Sequence, residues 1–502
     1  MSRKAGCVTV TRIFAGCMSL GLIVPVAQAE EVAAPQETTA IVGTTIIDGN
    51  GGPPIEDGTI VIRGTQISAV GPRISTDVPA DARVIDGRGK FVTPGFVDTN
   101  VHHSIPGGRG WNETYARYWE RHADVVLQGM QLQLKYGVTT VRDSYGALLP
   151  GIETRDAIKR GEEVGPRMYV AGNIVGWGGP YSMTFSVLPE SELTLFEEQV
   201  NDFITQGSGE EWMHMTPEEL RTAVNAYLDK GPDFIKYGGT THSSYPSLIG
   251  FSPRAQRVIV NETHERGLVA ETHATSLEGL RLAIEAGVDL VQHPEVLGNR
   301  EITDQLIEML VDRGVICSML VNRWTGKVWR DHLKQGQGVL DTEEARIERR
   351  APKTTAEIRR GHDGAGRSLE YHRRNAQRLI EGGCTVTVGT DNLIGIAPDF
   401  VREKNPEYQK PGIGTIIAIE GLVELGMTPS EAIVAATKNG ALASKALSDY
   451  GTLEVGKLAD LVVLTANPLA DISNIRRVEW VMTEGRLIDP KSMPTKRVYR
   501  IW

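Results

Sequence analysis

Six residues able to bind or serve a metal stand at the ends of short apolar runs. They are Asn100 and His102 in TPGFVDTNVHHS, Lys236 in DFIKYGG, His273 in LVAETH, His293 in DLVQH and Asp391 in TVTVGTD. Neutral imidazole binds Zn, Ni, Fe or Mn well. A carboxylate can touch such an ion and also take a proton from water whose pKa the ion lowers to about 7. Taken singly, each residue has a plainer reading. The histidines can be buried and hydrogen-bonded, Asp391 can cap a turn, and Lys236 can snorkel to solvent or pair with a carboxylate. Lys236 is unusual because an ammonium at the end of an apolar run is costly unless paired. Reaction with CO2 is one chemical solution, giving an N6-carboxylated lysine whose two oxygens can bridge two cations.

The runs that carry these residues must place them together. Eight strand candidates alternate with helical stretches between about 95 and 450: 96–103, 138–144, 167–175, 234–239, 268–274, 290–295, 315–320 and 385–392. Eight is the count of a closed parallel barrel, the (β/α)8 or TIM-like fold, in which active-site residues sit at the C-terminal rim. Residues 100 and 102 share one face of the first strand, whereas His103 points the other way. The helical stretches PEELRTAVNAYLDKG, PRAQRVIVNETHERG and SLEGLRLAIEAG supply the crossovers, the last between a capping Ser276 and Gly287. Residues 39–93 alternate β-like runs with glycine turns, and LADLVVLT and VEWVMTEGRLI repeat that pattern near the end. Both ends are therefore expected to form one small β-sandwich, from residues 30–94 and 451–502, beside a barrel of residues 95–450. Two connections are long: Gly176 to Met215, with Trp177 and several aromatic residues, and Val321 to about Glu370, densely charged and expected to be helical. Such segments often act as walls or lids.

TPGFVDTNVHH, FIKYGG, ETHATS, VQHPE, GTDN and the tail MTPSEAIVAATKNGALASKALSDYGTLEVGKLADLVVL together resemble the amidohydrolase superfamily. The likeness covers about residues 40–490 and points to the imidazolonepropionase-related branch, with its prolidase-like dipeptidases and ochratoxin-cleaving amidases. It implies a distorted (β/α)8 barrel and a sandwich from both termini. It also implies a divalent-metal site, with zinc as the expected ion and one or two ions bound. The first-strand pair would hold the more buried metal, a carbamylated Lys236 would bridge two metals, His273 and His293 would hold the second, and Asp391 would bind the first and act as general base. Asn100 departs from the pattern, which has histidine there. An amide oxygen is a weaker zinc donor than imidazole. Three outcomes follow: a weakened binuclear site with Asn100 bound through oxygen, a single ion, or an impaired site.

The function expected from this is hydrolysis of amide or peptide bonds by water that the metal makes nucleophilic. Dipeptides and N-acyl amino acids with a free carboxylate are the expected substrates. Tyr237, His242, Arg323 and Trp177 follow strand ends, where side chains can contact substrate. His242 can donate to an oxyanion, bind a carboxylate, or be an exposed loop histidine. The alternatives are hydrolysis of a lactone, cyclic amide or phosphotriester on the same site, and a catalytically impaired periplasmic binding protein, for which Asn100 is the sole support.

Composition narrows the field further. Hydrophobic residues make up 40% of the 502 and charged residues 23%, which fits a globular chain and not a disordered one. Arg3, Lys4 and Arg12 precede an apolar run that ends in Ala27-Gln28-Ala29, the pattern of a secretory signal peptide cut after Ala29. Export to the periplasm is the expectation. Cleavage would remove three basic and no acidic residues, taking the formal net charge from −10 to −13. So acidic a chain is a poor partner for nucleic acid or an anionic membrane. The expected partner is a small-molecule substrate, with a homo-oligomer allowed. Cys317 and Cys384 remain after cleavage. Both lie in strand-like runs, so buried thiols are the default reading, and a bridge requires a closeness that sequence does not show.

Overall fold

The computed structural model describes residues 37–106, 111–242, 247–334, 369–395 and 405–498. The expected signal peptide lies outside these residues. The expected polar leader ends earlier than residue 38, because Thr38 already begins a strand and pairs with Arg63.

Eight parallel segments follow one another around a barrel. They are Phe96–His102, Val138–Asp143, Arg167–Val170 with Ile174–Val175, Phe234–Gly238, Val269–His273, Leu290–Gln292, Ile316–Met319, and Val386–Val388 with Asn392–Leu393. Their hydrogen bonds fall into two sheets, of four and six strands. The third and eighth barrel strands each contribute one piece to either sheet, so the ladder steps across at these two strands. Sequence patterning marks both as unbroken, and the structure corrects this. In the third, Gly172 takes φ +76°, a left-handed conformation that costs glycine little. In the eighth, Gly389 crosses so close to its neighbours that a Cβ would lie 2.3 Å from Ser318 Oγ and 2.9 Å from Asn100 Cβ. The break at the eighth strand therefore sits against the first and seventh strands.

The crossover helices start and stop where their caps dictate. Thr216 and Glu219 form a capping box on Pro217–Leu228, Ser252 caps Pro253–Glu265, and Leu277–Ala286 runs from Ser276 to a left-handed Gly287. Their apolar faces join strand residues such as Val141, Ile235, Ala270, Val291 and Val388 in the main core. Among the described residues no helix is long and apolar enough to cross a membrane. The charged connection begins with the helix Gly326–Lys334, and its residues 335–368 lie outside the described set.

Strands from both ends of the chain build a second β layer. Leu461–Leu464 pairs antiparallel with Phe91–Pro94, placing Val462 opposite Thr93, and this one pairing joins the two ends. Ile41, Ile60 and Val92 from one end and Leu461, Val463 and Met482 from the other share its core.

Cys317 and Cys384 are bonded as a disulfide, with Cα atoms 6.4 Å apart. The expectation of buried thiols is thus corrected. Cys317 lies on the seventh strand and is paired in register with Val386 on the eighth, which brings Cys384, just before that strand, within bridging reach.

Candidate active site

The donors gather where the strands end. His102 closes the first strand, and its Nε2 lies 2.7 Å from Asp391 Oδ1. His273 closes the fifth strand, and its Nδ1 lies 3.0 Å from His293 Nε2, one residue past the sixth. Asn100 joins the first pair to Lys236. Its Nδ2 is 3.4 Å from Asp391 Oδ1, while its Oδ1 accepts from Ser144 and lies 3.5 Å from Lys236 Nζ. Lys236 also lies 3.4 Å from Ser144 Oγ. The charge of Lys236 is felt at both His102 and His273. All six donor positions found in the sequence are therefore drawn to one rim.

Local backbone explains how they arrive there. A register shift between Asp98 and Val101 breaks the alternation of the first strand. Asp98 is thereby turned to Thr415 of the helix Ile413–Glu424, and Asn100 and His102 are left at the rim. His293 and Asp391 both take left-handed backbone angles, φ +42° and +54°. Such strain in non-glycine residues is costly and clusters at functional sites. Asp391 is held in place by its own N–H to Asn100 O at 2.7 Å and by Arg323, whose Nη2 reaches the Asp391 carbonyl at 2.9 Å and Oδ2 at 3.2 Å.

Burial sets the protonation states. It pushes the pKa of His102 down, against the pull of Asp391, and holds His273 well below the usual histidine range. Both imidazoles are neutral near pH 7, the form that binds metal. For Asp391 burial pushes upward, but His102, Arg323 and His293 outweigh it and keep the carboxyl ionised. Burial lowers the Lys236 amine despite Glu271, Asp391 and Asp143. Its oxygen partners at 3.4 and 3.5 Å are weak ones for an ammonium. Below it, Arg142 and Glu271 form a fully buried ion pair at 2.6 Å that ties the second strand to the fifth.

The donor chemistry suits one or two divalent cations. Neutral imidazole nitrogens face an acceptor or one another, a carboxylate stays ionised, and His102 Nδ1 and His273 Nε2 are buried without a hydrogen-bond partner. Among the described residues no three His, Cys, Asp or Glu side chains form a ready cluster. The donors fall instead into two pairs, with Asn100 and Lys236 beside them.

The residues expected to touch substrate divide. Tyr237 does not join the rim. It is fully buried, and its hydroxyl donates to Gln256 Oε1 at 2.9 Å on the helix behind the strand. It neighbours Lys236 in the strand and so faces the opposite way. Arg323 is engaged with Asp391. His242 and Trp177 do lie beside the donors, with ring centroids 5.9 and 4.7 Å from His273. His103 faces outward, as its parity requires, against Gln133.

Other groups escaped the sequence reading. Tyr145 sits 5.7 Å from His102, ring to ring, and Phe185 stacks on His242 at 4.1 Å. Asp98, Asp143 and Glu295 are buried carboxyls that desolvation pushes up to about 6, 8 and 7. Asp98 and Glu295 lie inside the motifs already singled out, so position along those strands was the available signal. Phe185 lies deep in a long connection and gave none.

A parallel barrel with donors at its C-terminal rim and a β layer from both termini defines an amidohydrolase-type hydrolase. The chain belongs to the amidohydrolase family, whose sequence pattern matches residues 91–488. Among characterised relatives, ochratoxinase of Aspergillus niger is 25% identical over 450 residues, covering 87% of this chain and 83% of its own length. Imidazolonepropionase of Alkaliphilus metalliredigens is 25% identical over 457 residues, covering 87% and 91%. Among solved structures, molinate hydrolase superposes with a TM-score of 0.79 at 31% identity, covering 93% of this chain and 98% of its own. Phenylurea hydrolase B gives 0.79 at 30%, covering 92% and 100%.

Proposed function

We propose that this protein is a metal-dependent hydrolase of amide-type carbon–nitrogen bonds in small molecules. The observation that carries the reading is the meeting of Asn100, His102, Lys236, His273, His293 and Asp391 from five separate strand ends at one rim. His102 and Asp391 would hold one ion beside Asn100, and His273 and His293 would hold the other. When bound, such an ion supplies Lewis acidity, making water acidic and polarising a carbonyl.

The chain's own groups do the rest. Asp391, ionised and fixed by Arg323, accepts the proton of the attacking water and returns it to the leaving nitrogen. The depressed pKa of Lys236 favours a neutral amine, the form that adds to CO2, and the resulting carboxylate would sit between the two donor pairs. Ser144 orients the Asn100 amide. We also propose that the chain is exported, which the Cys317–Cys384 disulfide supports because such bonds persist in oxidising compartments.

A second reading, hydrolysis of a cyclic amide, is favoured by the match to imidazolonepropionase. One experiment tests both. Purified protein supplied with Zn2+ or Mn2+ is assayed on linear amides, aryl ureas, carbamates, dipeptides and cyclic amides. Metal-dependent cleavage of the linear class supports the first reading, and cleavage of cyclic amides alone supports the second. No hydrolysis of any of them contradicts the reading.

A further inference from the structure

Four aromatic side chains form a continuous face against both donor pairs. Tyr145 meets His102 edge-on at 5.7 Å, and Trp177 meets His273 edge-on at 4.7 Å. Between them, Phe185 lies 5.5 Å from Tyr145 and 5.6 Å from Trp177, and stacks on His242 at 4.1 Å and 14°. The face is fixed from behind. Trp177 Nε1 donates to Thr240 O at 3.0 Å, and the His242 N–H donates to Thr184 O at 2.8 Å. These bonds fasten the long connection after the third strand to the loop after the fourth.

Two further observations bear on what this face receives. The Tyr145 hydroxyl is buried and has no hydrogen-bond partner. Phenol groups buried this way normally find one, so an unmatched donor beside the donor set calls for a ligand acceptor. Second, the cations recorded against the donors are already engaged. Arg323 holds Asp391, Arg142 holds Glu271, and Lys236 is buried against Asn100 and Ser144. Among the described residues, these three leave no free cation at the donors for a substrate carboxylate, and an unpaired carboxylate against an aromatic face is costly to desolvate.

We propose, resting on the hydrolase reading above, that the substrate is an uncharged amide, urea or carbamate carrying an aromatic or bulky apolar group, which lies on Trp177 and Phe185 while Tyr145 donates a hydrogen bond to it. Specificity then comes from apolar area and one hydrogen bond, a combination typical of small-molecule sites. It runs against the N-acyl amino acids that the sequence suggested.

The test uses a matched pair: an N-acyl phenethylamine and the corresponding N-acyl phenylalanine, which differ only by a carboxylate. Metal-loaded wild type is assayed for kcat/KM on both. Metal-loaded Asp391→Asn is titrated with both by calorimetry, so that binding is read without turnover. The uncharged compound is expected to bind at least tenfold more tightly and, in wild type, to be cleaved faster by a similar factor. Tyr145→Phe is expected to weaken that binding roughly tenfold with an unchanged unfolding midpoint. Equal affinities, a preference for the carboxylate, or a Tyr145→Phe variant that binds as before would overturn the inference. If the expected order of affinities holds and wild type cleaves neither compound, the hydrolase reading fails and this one stands.

Discussion

Arg323 grips Asp391 at two points, the main-chain carbonyl at 2.9 Å and the carboxylate at 3.2 Å, through a single guanidinium nitrogen. Asp391 sits in a left-handed conformation that few non-glycine residues adopt, so its placement depends on such bonds. Replacing Arg323 with Ala removes both contacts and leaves the base free to move. The expected result is a fall in kcat of about 10- to 100-fold with little change in KM, because a small displacement of a catalytic group is costly. Added guanidinium should restore part of the rate, which a purely structural defect would not allow. A variant with wild-type kcat would show that the grip has no functional role.

Asp391→Asn keeps the shape of the side chain and removes the base. Turnover should fall by about 100- to 10,000-fold, while far-ultraviolet circular dichroism and the urea midpoint stay close to wild type. Near-normal turnover would remove Asp391 from the mechanism.

Glu295 gives a prediction about pH and stability. It is fully buried and accepts from Leu320 N at 2.7 Å and Trp324 Nε1 at 3.2 Å. Desolvation nevertheless lifts its pKa from 4.5 to about 7. Between these values the folded protein holds a proton that the unfolded chain has lost. Stability from this group therefore falls as pH rises from about 4.5 through about 7, and levels off above. Glu295→Gln should flatten that slope by roughly 3 kcal/mol, read as a smaller difference between urea midpoints at pH 5 and pH 8. An unchanged slope would place the wild-type dependence on other groups.

The Cys317–Cys384 bridge closes a segment of 67 residues between adjacent barrel strands. Replacing both cysteines with serine should lower unfolding free energy by about 2–5 kcal/mol. Mass spectrometry of the unreduced protein should show both residues in one crosslinked peptide. Two free thiols in protein prepared from an oxidising compartment would contradict the bond.

Much of this was legible in the chain because barrel chemistry is periodic. Apolar runs announced the strands, and a polar residue at the end of each announced the rim, so His102, Lys236, His273, His293 and Asp391 could be found without coordinates. The same alternation misled at Tyr237, which lies next to Lys236 and turns to Gln256 behind the strand. Breaks in the third and eighth strands were invisible because Gly172 and Gly389 read as ordinary strand interruptions until the neighbours crowding them are known. Tyr145 and Phe185 come together only through the path of a long connection, which no local pattern encodes. The disulfide was unreadable for a related reason: it depends on two strands being neighbours in register, not on the spacing of the cysteines.

The most direct test is a metal titration of chelator-treated protein, following bound ions by plasma mass spectrometry and hydrolysis of an uncharged aryl amide in parallel. The expected result is no activity after chelation, recovery that tracks occupancy up to one or two ions per chain, and loss of both binding and recovery in the double variant His273→Ala with His293→Ala. Full turnover in the chelated protein, or undiminished occupancy in that variant, would contradict the account.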